Sequence, residues 1–136
     1  MASRSINDLH PDLADSFNLV LAIWLKVYPT LPVPFLSCTH RPDAEQNELY
    51  AIGRTVKGKI VTNARAGQSP HNYKPALAYD IAFKQSNGQL DWSTDLFFKY
   101  AQLLAGLTRQ VDWGGYWKFK DSPHFELKNW KTHIQP

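Results

Sequence analysis

Apolar residues recur at helical spacing in three stretches of the chain. The first begins at residues 10–12 and ends at the three prolines between residues 28 and 34. The second covers residues 43–53 and the third covers residues 95–107. The residues predicted to face inward are Leu13, Phe17, Val20, Leu21, Trp24 and Leu25 in the first helix, Leu49, Tyr50 and Ile52 in the second, and Leu96, Phe97, Tyr100, Leu103, Leu104 and Leu107 in the third.

Three shorter stretches are predicted to be strands. Residues 33–39 form a short apolar run, residues 76–83 are apolar except for Asp80, and residues 124–127 alternate. Residues 54–75 lack periodicity, and a long loop of this kind is more often functional than idle. Helices therefore precede a strand-rich second half. This order predicts the α+β class, as one compact domain over residues 1–136 with a small, mostly antiparallel sheet flanked by helices.

Composition limits the chemistry that is available. The 136 residues suffice for one domain with a hydrophobic core. The single cysteine, Cys38, excludes an intrachain disulfide and a zinc site built on several thiolates. A bound metal would therefore be held by histidine and carboxylate. The net charge of +3 suits a polyanionic partner such as nucleic acid, a membrane surface or a bacterial wall, and does not choose among them.

The start of the chain is polar and lacks the pattern of a secretory signal. The apolar stretch 17–27 is too short to span a bilayer and contains Asn18 and Lys26. We therefore expect a protein made in the cytoplasm without a signal peptide and without stable membrane association. The positive residues are dispersed and no reading motif is present, so no nucleic-acid partner is expected. A monomer is expected.

Asp80 is the most informative polar residue, because it interrupts a predicted central strand. A buried carboxylate costs several kcal/mol unless it faces a cation. The candidate cations are a metal ion, Arg41, Arg54 and Lys74. A buried ion pair therefore remains an alternative to a metal site at this point.

Histidines on either side of Asp80 in the sequence extend this argument. Two histidines and one carboxylate form a known catalytic zinc set that leaves a fourth position for water. His71 and His124 can supply the imidazoles, although His71 could also be a loop histidine bonded to backbone. A carboxylate outside such a set can take a proton from water, and Asp121 is placed for this, with Glu126 as the second candidate. The chain has no H-E-x-x-H motif, which excludes the helical zinc-protease arrangement.

Two motifs resemble those of a known family. Residues 69–80 are similar to the pattern S-x-H-x-x-G-x-A-x-D, and residues 113–126 are similar to a pattern that begins W-G-G and ends D-x-P-H-F-E. These patterns are typical of bacterial and bacteriophage zinc peptidases that include D-alanyl-D-alanine carboxypeptidases and L-alanyl-D-glutamate endopeptidases. Segments 9–13, 48–55 and 61–64 resemble the second branch. The likeness extends from about residue 6 to residue 130.

The chain departs from the family in two places. Asp80 follows His71 by nine positions instead of seven, with Lys74-Pro75 inserted and the usual glycine absent. An even insertion before a strand leaves Asp80 on the same face. The segment before the family's arginine reads Cys38-Thr39-His40, which we expect to affect substrate choice.

The resemblance implies roles for individual residues. His71, Asp80 and His124 would bind Zn²⁺, and Asp121 would be the catalytic base. Arg41 would orient the substrate or stabilise the oxyanion. The implied substrate contacts are Ser69 and Gln46, which completes the motif R-x-x-x-x-Q, and Trp113 is predicted to be a third. Apart from the resemblance, Trp113, Trp117 and Phe119 are expected to lie partly in the core, with a place in a peptide groove for one of them as the alternative.

The predicted function is zinc-dependent hydrolysis of peptidoglycan stem peptides. The branch resemblance implies an L-alanyl-D-glutamate endopeptidase that serves as a bacteriophage endolysin, made in the host cytoplasm and acting on the wall after release. One alternative is a D-alanyl-D-alanine carboxypeptidase or dipeptidase. The other is a non-catalytic zinc-binding module that recognises the wall.

Overall fold

The computed structural model describes residues 1–134. The helices are α1 (Pro11–Val27), α2 (Asp43–Ala51) and α3 (Thr94–Ala105). The strands are β1 (Val33–Cys38), β2 (Ala78–Lys84), β3 (Leu90–Asp91), β4 (Val111–Trp113) and β5 (His124–Leu127). Short 3-10 segments lie at Ile6–Asp8, Pro70–Asn72, Gly114–Tyr116 and Trp130–His133.

The five strands form one sheet in the order β1-β2-β5-β4, and β3 pairs with the end of β2. Every pairing between these strands is antiparallel. The predicted α+β class is therefore confirmed. Strands β3 and β4 were not predicted, because two or three residues are too few to show an alternating pattern.

The core lies between one face of the sheet and helices α1 and α3. Alternate residues of β2 point into this core, namely Tyr79, Ile81 and Phe83, and each of them is 0% exposed. The hydroxyls of Tyr79 and Tyr100 lie 2.8 Å apart and satisfy each other inside this apolar layer. Most residues predicted to face inward in α1 and α3 are buried, namely Leu13, Phe17, Val20, Trp24, Leu96, Phe97, Tyr100 and Leu104. Ser16 and Ala101 are buried as well, whereas the inward position predicted for Leu25 is wrong, because this residue is 50% exposed. Leu107 lies beyond the end of α3 and is exposed.

Helix α2 differs from the prediction. Leu49, Tyr50 and Ile52 are only half-buried, and the residue that α2 buries completely is Gln46. The helix packs mainly through polar contacts to the loop that follows it. The amide of Gln46 donates to the Ala64 carbonyl at 2.7 Å, and the amide oxygen of Asn47 accepts from the Ala66 backbone at 2.9 Å. These bonds order a loop in which sequence periodicity is absent.

Among residues 1–134, no helix combines the length and apolarity needed to cross a bilayer. Helix α1 is 17 residues long and begins at Pro11. The Nδ1 of His10 accepts a hydrogen bond from the Asp12 backbone at 3.2 Å and caps its start.

Candidate active site

The sheet register places three polar side chains in one row. Asp80 on β2 lies opposite Cys38 on β1 and opposite His124 on β5. Residues directly opposite each other share a face of the sheet. Because Tyr79 and Ile81 point into the core, Asp80 and its row project from the other face.

His71 reaches this row from the 3-10 segment Pro70–Asn72. The hydroxyl of Ser69 accepts from the His71 backbone at 3.2 Å, and the amide oxygen of Asn72 accepts from the Ser69 backbone at 3.2 Å. This reciprocal pair is a capping box. The segment is fixed to its surroundings by bonds from the Leu77 backbone to the Pro70 carbonyl and from the Arg41 backbone to the His71 carbonyl. Ser69 therefore positions His71, besides lining the cleft.

The two histidines approach the same oxygen of Asp80. Nε2 of His71 lies 3.2 Å from Oδ1 of Asp80, and Nδ1 of His124 lies 3.1 Å from it. The other nitrogen of each ring faces an acceptor: Nδ1 of His71 donates to the Thr39 carbonyl at 2.8 Å, and Nε2 of His124 donates to Glu126 at 2.8 Å. Because these oxygens only accept, the outer nitrogens carry the protons. The inner nitrogens, Nε2 of His71 and Nδ1 of His124, therefore direct their lone pairs at Asp80.

This geometry requires a positive charge at its centre. Two imidazole lone pairs and a carboxylate oxygen repel one another unless protons or a cation lie between them. Burial alone lowers the pKa of His71, but the facing Asp80 carboxylate raises it to about 10. Burial alone raises the pKa of Asp80, yet the two histidines hold it well below its usual range. Burial likewise acts to lower the pKa of His124, but the contacts with Asp80 and Glu126 outweigh burial and raise this pKa.

The donor set fits a zinc ion. Zinc accepts two imidazole nitrogens and one carboxylate oxygen, and the outer N–H groups of metal-binding histidines are usually bonded to a carbonyl or carboxylate. Thr39 and Glu126 make those outer bonds here. They were not predicted in this role. The alternation of β5, which puts residues 124 and 126 on one face, was the signal available for Glu126.

Cys38 lies behind this centre. The ligand atoms of Cys38, His71 and Asp80 fall within 4.8 Å of one another. However, Sγ of Cys38 lies 3.7 Å from Nδ1 of His71, the nitrogen that donates to Thr39. His124 therefore completes the inner donor set better than Cys38 does. Cys38 thus contacts both His71 and Arg41 at the edge of the site.

Of the three side-chain cations considered as partners of Asp80, only Arg41 lies close to it. Nη2 of Arg41 lies 4.0 Å from Oδ2 of Asp80. Arg54 donates to the carbonyl of Tyr50 in α2 and to that of Thr62 in the loop, and Lys74 lies 3.6 Å from Asp8. Arg41 is thus the cation beside the histidine cluster.

The cluster lies at the base of an open cleft of about 380 Å³. Its walls include Arg41, Ser69, Trp117, Asp121 and Glu126. Partial desolvation in the wall raises the pKa of Asp121; His124 opposes this effect and Asp80 reinforces it. The structure therefore brings Arg41, Ser69 and Asp121 to the same cleft as the three predicted ligands.

Gln46 has a different position from the one predicted. Its side chain is 0% exposed, its oxygen accepts from Nη1 of Arg41 at 3.0 Å, and its nitrogen is bonded to the Ala64 carbonyl. A substrate cannot reach a side chain that is buried and already bonded. Gln46 orients Arg41 instead of contacting substrate.

Trp113 also lies away from the cleft. Its ring stacks near Phe125 at 6.3 Å between centroids, and its Nε1 donates to the Ser122 carbonyl at 2.7 Å. The tryptophan in the cleft wall is Trp117, whose ring centroid lies 5.3 Å from that of His124. Trp117, four residues later in the same motif, is thus the tryptophan placed to meet a substrate in this cleft, and a substrate contact stays a prediction.

Known proteins resemble this chain in sequence and in fold. A family model described as D-alanyl-D-alanine carboxypeptidase matches residues 62–127. The peptidoglycan L-alanyl-D-glutamate endopeptidase CwlK of Bacillus subtilis (strain 168) is 41% identical over 93 residues, which cover 61% of this chain and 53% of CwlK. The chain thus spans about half the length of that curated relative. The crystal structure of the Serratia marcescens L-Ala D-Glu endopeptidase ChiX matches with a TM-score of 0.70 and 25% identity, covering 99% of this chain and 93% of ChiX.

The α+β fold and the cleft with its His–Asp–His cluster fit the predicted class of small metallopeptidases. Over residues 62–127 the chain is similar to the D-alanyl-D-alanine carboxypeptidase family, and in sequence and fold it is similar to two L-alanyl-D-glutamate endopeptidases. The matched region contains the three candidate ligands and Asp121. The family resemblance seen in the motifs is confirmed.

Zinc binding to the metal-free protein is expected to release protons at neutral pH. The pKa of His71 is raised to about 10, so at pH 7 its inner nitrogen carries a proton that zinc must displace. Calorimetry in two buffers of different ionisation enthalpy measures this release, which we expect to be about one proton or more per zinc. A binding enthalpy that is independent of the buffer would contradict the protonated cluster.

Glutamine at position 126 is expected to weaken zinc binding with little effect on turnover. Glu126→Gln keeps an acceptor near Nε2 of His124 but removes its charge, and outer partners of this kind are worth about 10- to 100-fold in metal affinity. Zinc affinity should fall within that range, while the rate at saturating zinc changes little. A large loss of rate at saturating zinc would instead identify Glu126 as the base.

Proposed function

We propose that the protein is a zinc-dependent endopeptidase that cuts the L-alanyl-D-glutamate bond of peptidoglycan stem peptides. The observation that carries the proposal is the convergence of His71 and His124 on Asp80 at the base of an open cleft. The choice of bond is supported by the relatives CwlK and ChiX, both described as L-alanyl-D-glutamate endopeptidases.

Each side chain in the cleft has a defined part in such a reaction. His71, Asp80 and His124 would hold the zinc ion, which when bound lowers the pKa of water to about 7 and polarises a carbonyl. Asp121 accepts a proton from the attacking water and returns it to the leaving amine.

Arg41 would stabilise the negative charge that develops on the substrate oxygen. Its Nη2 donates to Sγ of Cys38 at 3.7 Å and lies 4.0 Å from Oδ2 of Asp80, and its Nη1 is held by Gln46. The guanidinium is thus oriented in the cleft wall with a free N–H for the oxygen that becomes negative during hydrolysis. The Gln46 contact fixes this orientation before substrate binds, which reduces the cost of reorganisation.

Mass spectrometry of digested peptidoglycan tests the proposal directly. Purified walls are incubated with the protein alone, with a chelator, and with the chelator followed by added zinc. New L-alanine and D-glutamate ends should appear, vanish with the chelator and return with zinc. Free D-alanine would indicate a carboxypeptidase, and an intact wall with zinc bound would indicate a binding module.

We also propose that the enzyme serves as an endolysin of a bacteriophage, acting on the wall after release from the host cytoplasm. The support is the family resemblance, which includes bacteriophage enzymes, and a net charge of +3 that suits an anionic wall. Expression in bacteria with and without a separate hole-forming membrane protein tests this role. Lysis should require both proteins, and rapid lysis without the hole-forming protein would overturn it.

A further inference from the structure

Three aromatic side chains are exposed in the segment that contains the cleft residue Trp117. Tyr116 is 70% exposed, Trp117 39% and Phe119 82%. We call residues 116–120 the aromatic rim; they also include the exposed Lys118 and Lys120. Large apolar side chains grouped at the surface are typical of ligand-binding grooves and interaction sites. The rim is therefore a candidate binding surface.

The rim is held in shape by the turn before it. The backbone nitrogens of Trp117 and Asp121 both donate to the Gly114 carbonyl, at 3.2 and 2.9 Å. A Cβ at Gly114 would lie 2.4 Å from the Asp121 carbonyl oxygen, so the two ends of the rim approach as closely as only glycine allows. A surface that is ordered before binding loses little entropy when a ligand arrives.

The rim continues directly from the candidate active site. Trp117 lines the cleft, and its ring centroid is 5.3 Å from that of His124. Phe119, two residues further along, makes a cation–π contact with Lys118 at 5.9 Å. Trp117 is therefore the rim residue that a ligand at the histidine cluster can contact, and Phe119 follows it in the same exposed segment.

We propose that the aromatic rim is a subsite for the glycan strand of peptidoglycan, with Phe119 packing against a sugar ring. This inference rests on the proposed function. The stem peptide is joined through its L-alanine to the lactyl group of muramic acid, so one residue separates the L-alanyl-D-glutamate bond from the sugar. One residue spans at most about 3.6 Å, so a bond held at the cluster keeps the sugar near the cleft wall that Trp117 forms.

The chemistry of the rim matches a sugar better than a polyanion. A pyranose has a face of C–H groups that packs on a flat aromatic ring, and Tyr and Trp add a polar edge for its hydroxyls. Lys118 and Lys120 alone would suit a phosphate polymer as well. The three aromatic residues decide for the glycan, since a polyanion does not need them.

Two soluble substrates that share one stem peptide test the subsite. One is the free tetrapeptide that begins L-Ala-D-Glu, and the other is the same peptide on its N-acetylglucosaminyl-muramic acid disaccharide. The zinc-loaded wild type is compared with Phe119→Ala. The matched control is Trp92→Ala, because Trp92 is 55% exposed and stacks on Phe97, which belongs to the core.

For Phe119→Ala we expect kcat/KM on the disaccharide substrate to fall about fivefold through KM, the size of one lost aromatic contact. The free tetrapeptide should be cut within about twofold of the wild-type rate, and Trp92→Ala should change neither ratio. An equal effect of Phe119→Ala on both substrates, or no effect on either, overturns the glycan subsite while leaving the proposed function intact.

Two further outcomes are separated by design. If only the double variant Lys118→Gln/Lys120→Gln loses activity on walls, and added salt abolishes the difference, the partner is a polyanion and the glycan subsite is wrong. If the wild type cuts neither soluble substrate, the proposed function fails. Calorimetry with the disaccharide substrate then decides the subsite: weaker binding by Phe119→Ala supports it, and unchanged binding overturns it.

Discussion

Asparagine in place of Asp80 is expected to remove bound zinc and to reduce wall hydrolysis by about 10³-fold or more. Oδ1 of Asp80 is the atom that both inner imidazole nitrogens face, at 3.2 and 3.1 Å. An asparagine has the same shape but lacks the charge, and its NH₂ group can donate to an imidazole lone pair that zinc would need. Zinc content after gel filtration and the rate of stem-peptide cleavage measure the two effects.

The matched control for this substitution is Asp112→Asn. Asp112 lies on β4 and pairs with Lys128 at 2.8 Å on the surface. Its asparagine variant should keep zinc and activity, because exposed ion pairs contribute about 0–1 kcal/mol. Circular dichroism verifies that both variants are folded. If Asp80→Asn retained zinc and turnover, Asp80 would not be a zinc ligand. Its contacts with the two histidines would then be a buried ion pair.

Asparagine at position 121 is expected to separate metal binding from catalysis. Asp121 lies in the cleft wall but is not among the atoms that converge on Asp80. Asp121→Asn should therefore keep zinc and lose about 10²- to 10⁴-fold in kcat, the range for loss of a general base. Initial rates on a soluble stem peptide, with zinc content determined on the same sample, provide the measurement.

The pH profile adds a second readout for Asp121. Desolvation in the cleft wall raises the pKa of this carboxyl, and the base is active only when deprotonated. The acid limb of the kcat/KM profile should thus lie above the pH at which an ordinary aspartate titrates, and the asparagine variant should lack it. Full activity in Asp121→Asn would transfer the role of base to Glu126, for which Glu126→Gln is the comparison.

The helices and strands that are long enough to show a repeating pattern of apolar residues were predictable from sequence. Helices α1 and α3 and strands β1, β2 and β5 lie where apolar spacing placed them. Helix α2 was placed correctly, but its inward face was not. Polar contacts through Gln46 hold this helix, and hydrophobic periodicity does not report such contacts.

The candidate site shows a similar division. The motifs located His71, Asp80, His124 and Asp121, and the structure brings them into one cleft; their chemical roles stay predictions. Trp117 lines the cleft and Trp113 does not. This arrangement includes a turn in which Gly115 lies so close to the Trp113 ring that a Cβ on Gly115 would be 2.2 Å from it. Contacts of that kind arise from packing, and spacing along the chain does not encode them.

The row across β1, β2 and β5 has a consequence for handling the protein. His124 and Asp80 are 44 positions apart and meet only when β2 and β5 pair, so the proposed zinc site exists in the native state and is absent from the unfolded chain. Free zinc at 100 times its dissociation constant would then add about 2.7 kcal/mol to the free energy of unfolding. The melting temperature becomes a readout of zinc concentration, and preparations made with and without chelator will differ in heat resistance and in protease sensitivity although their sequence is the same.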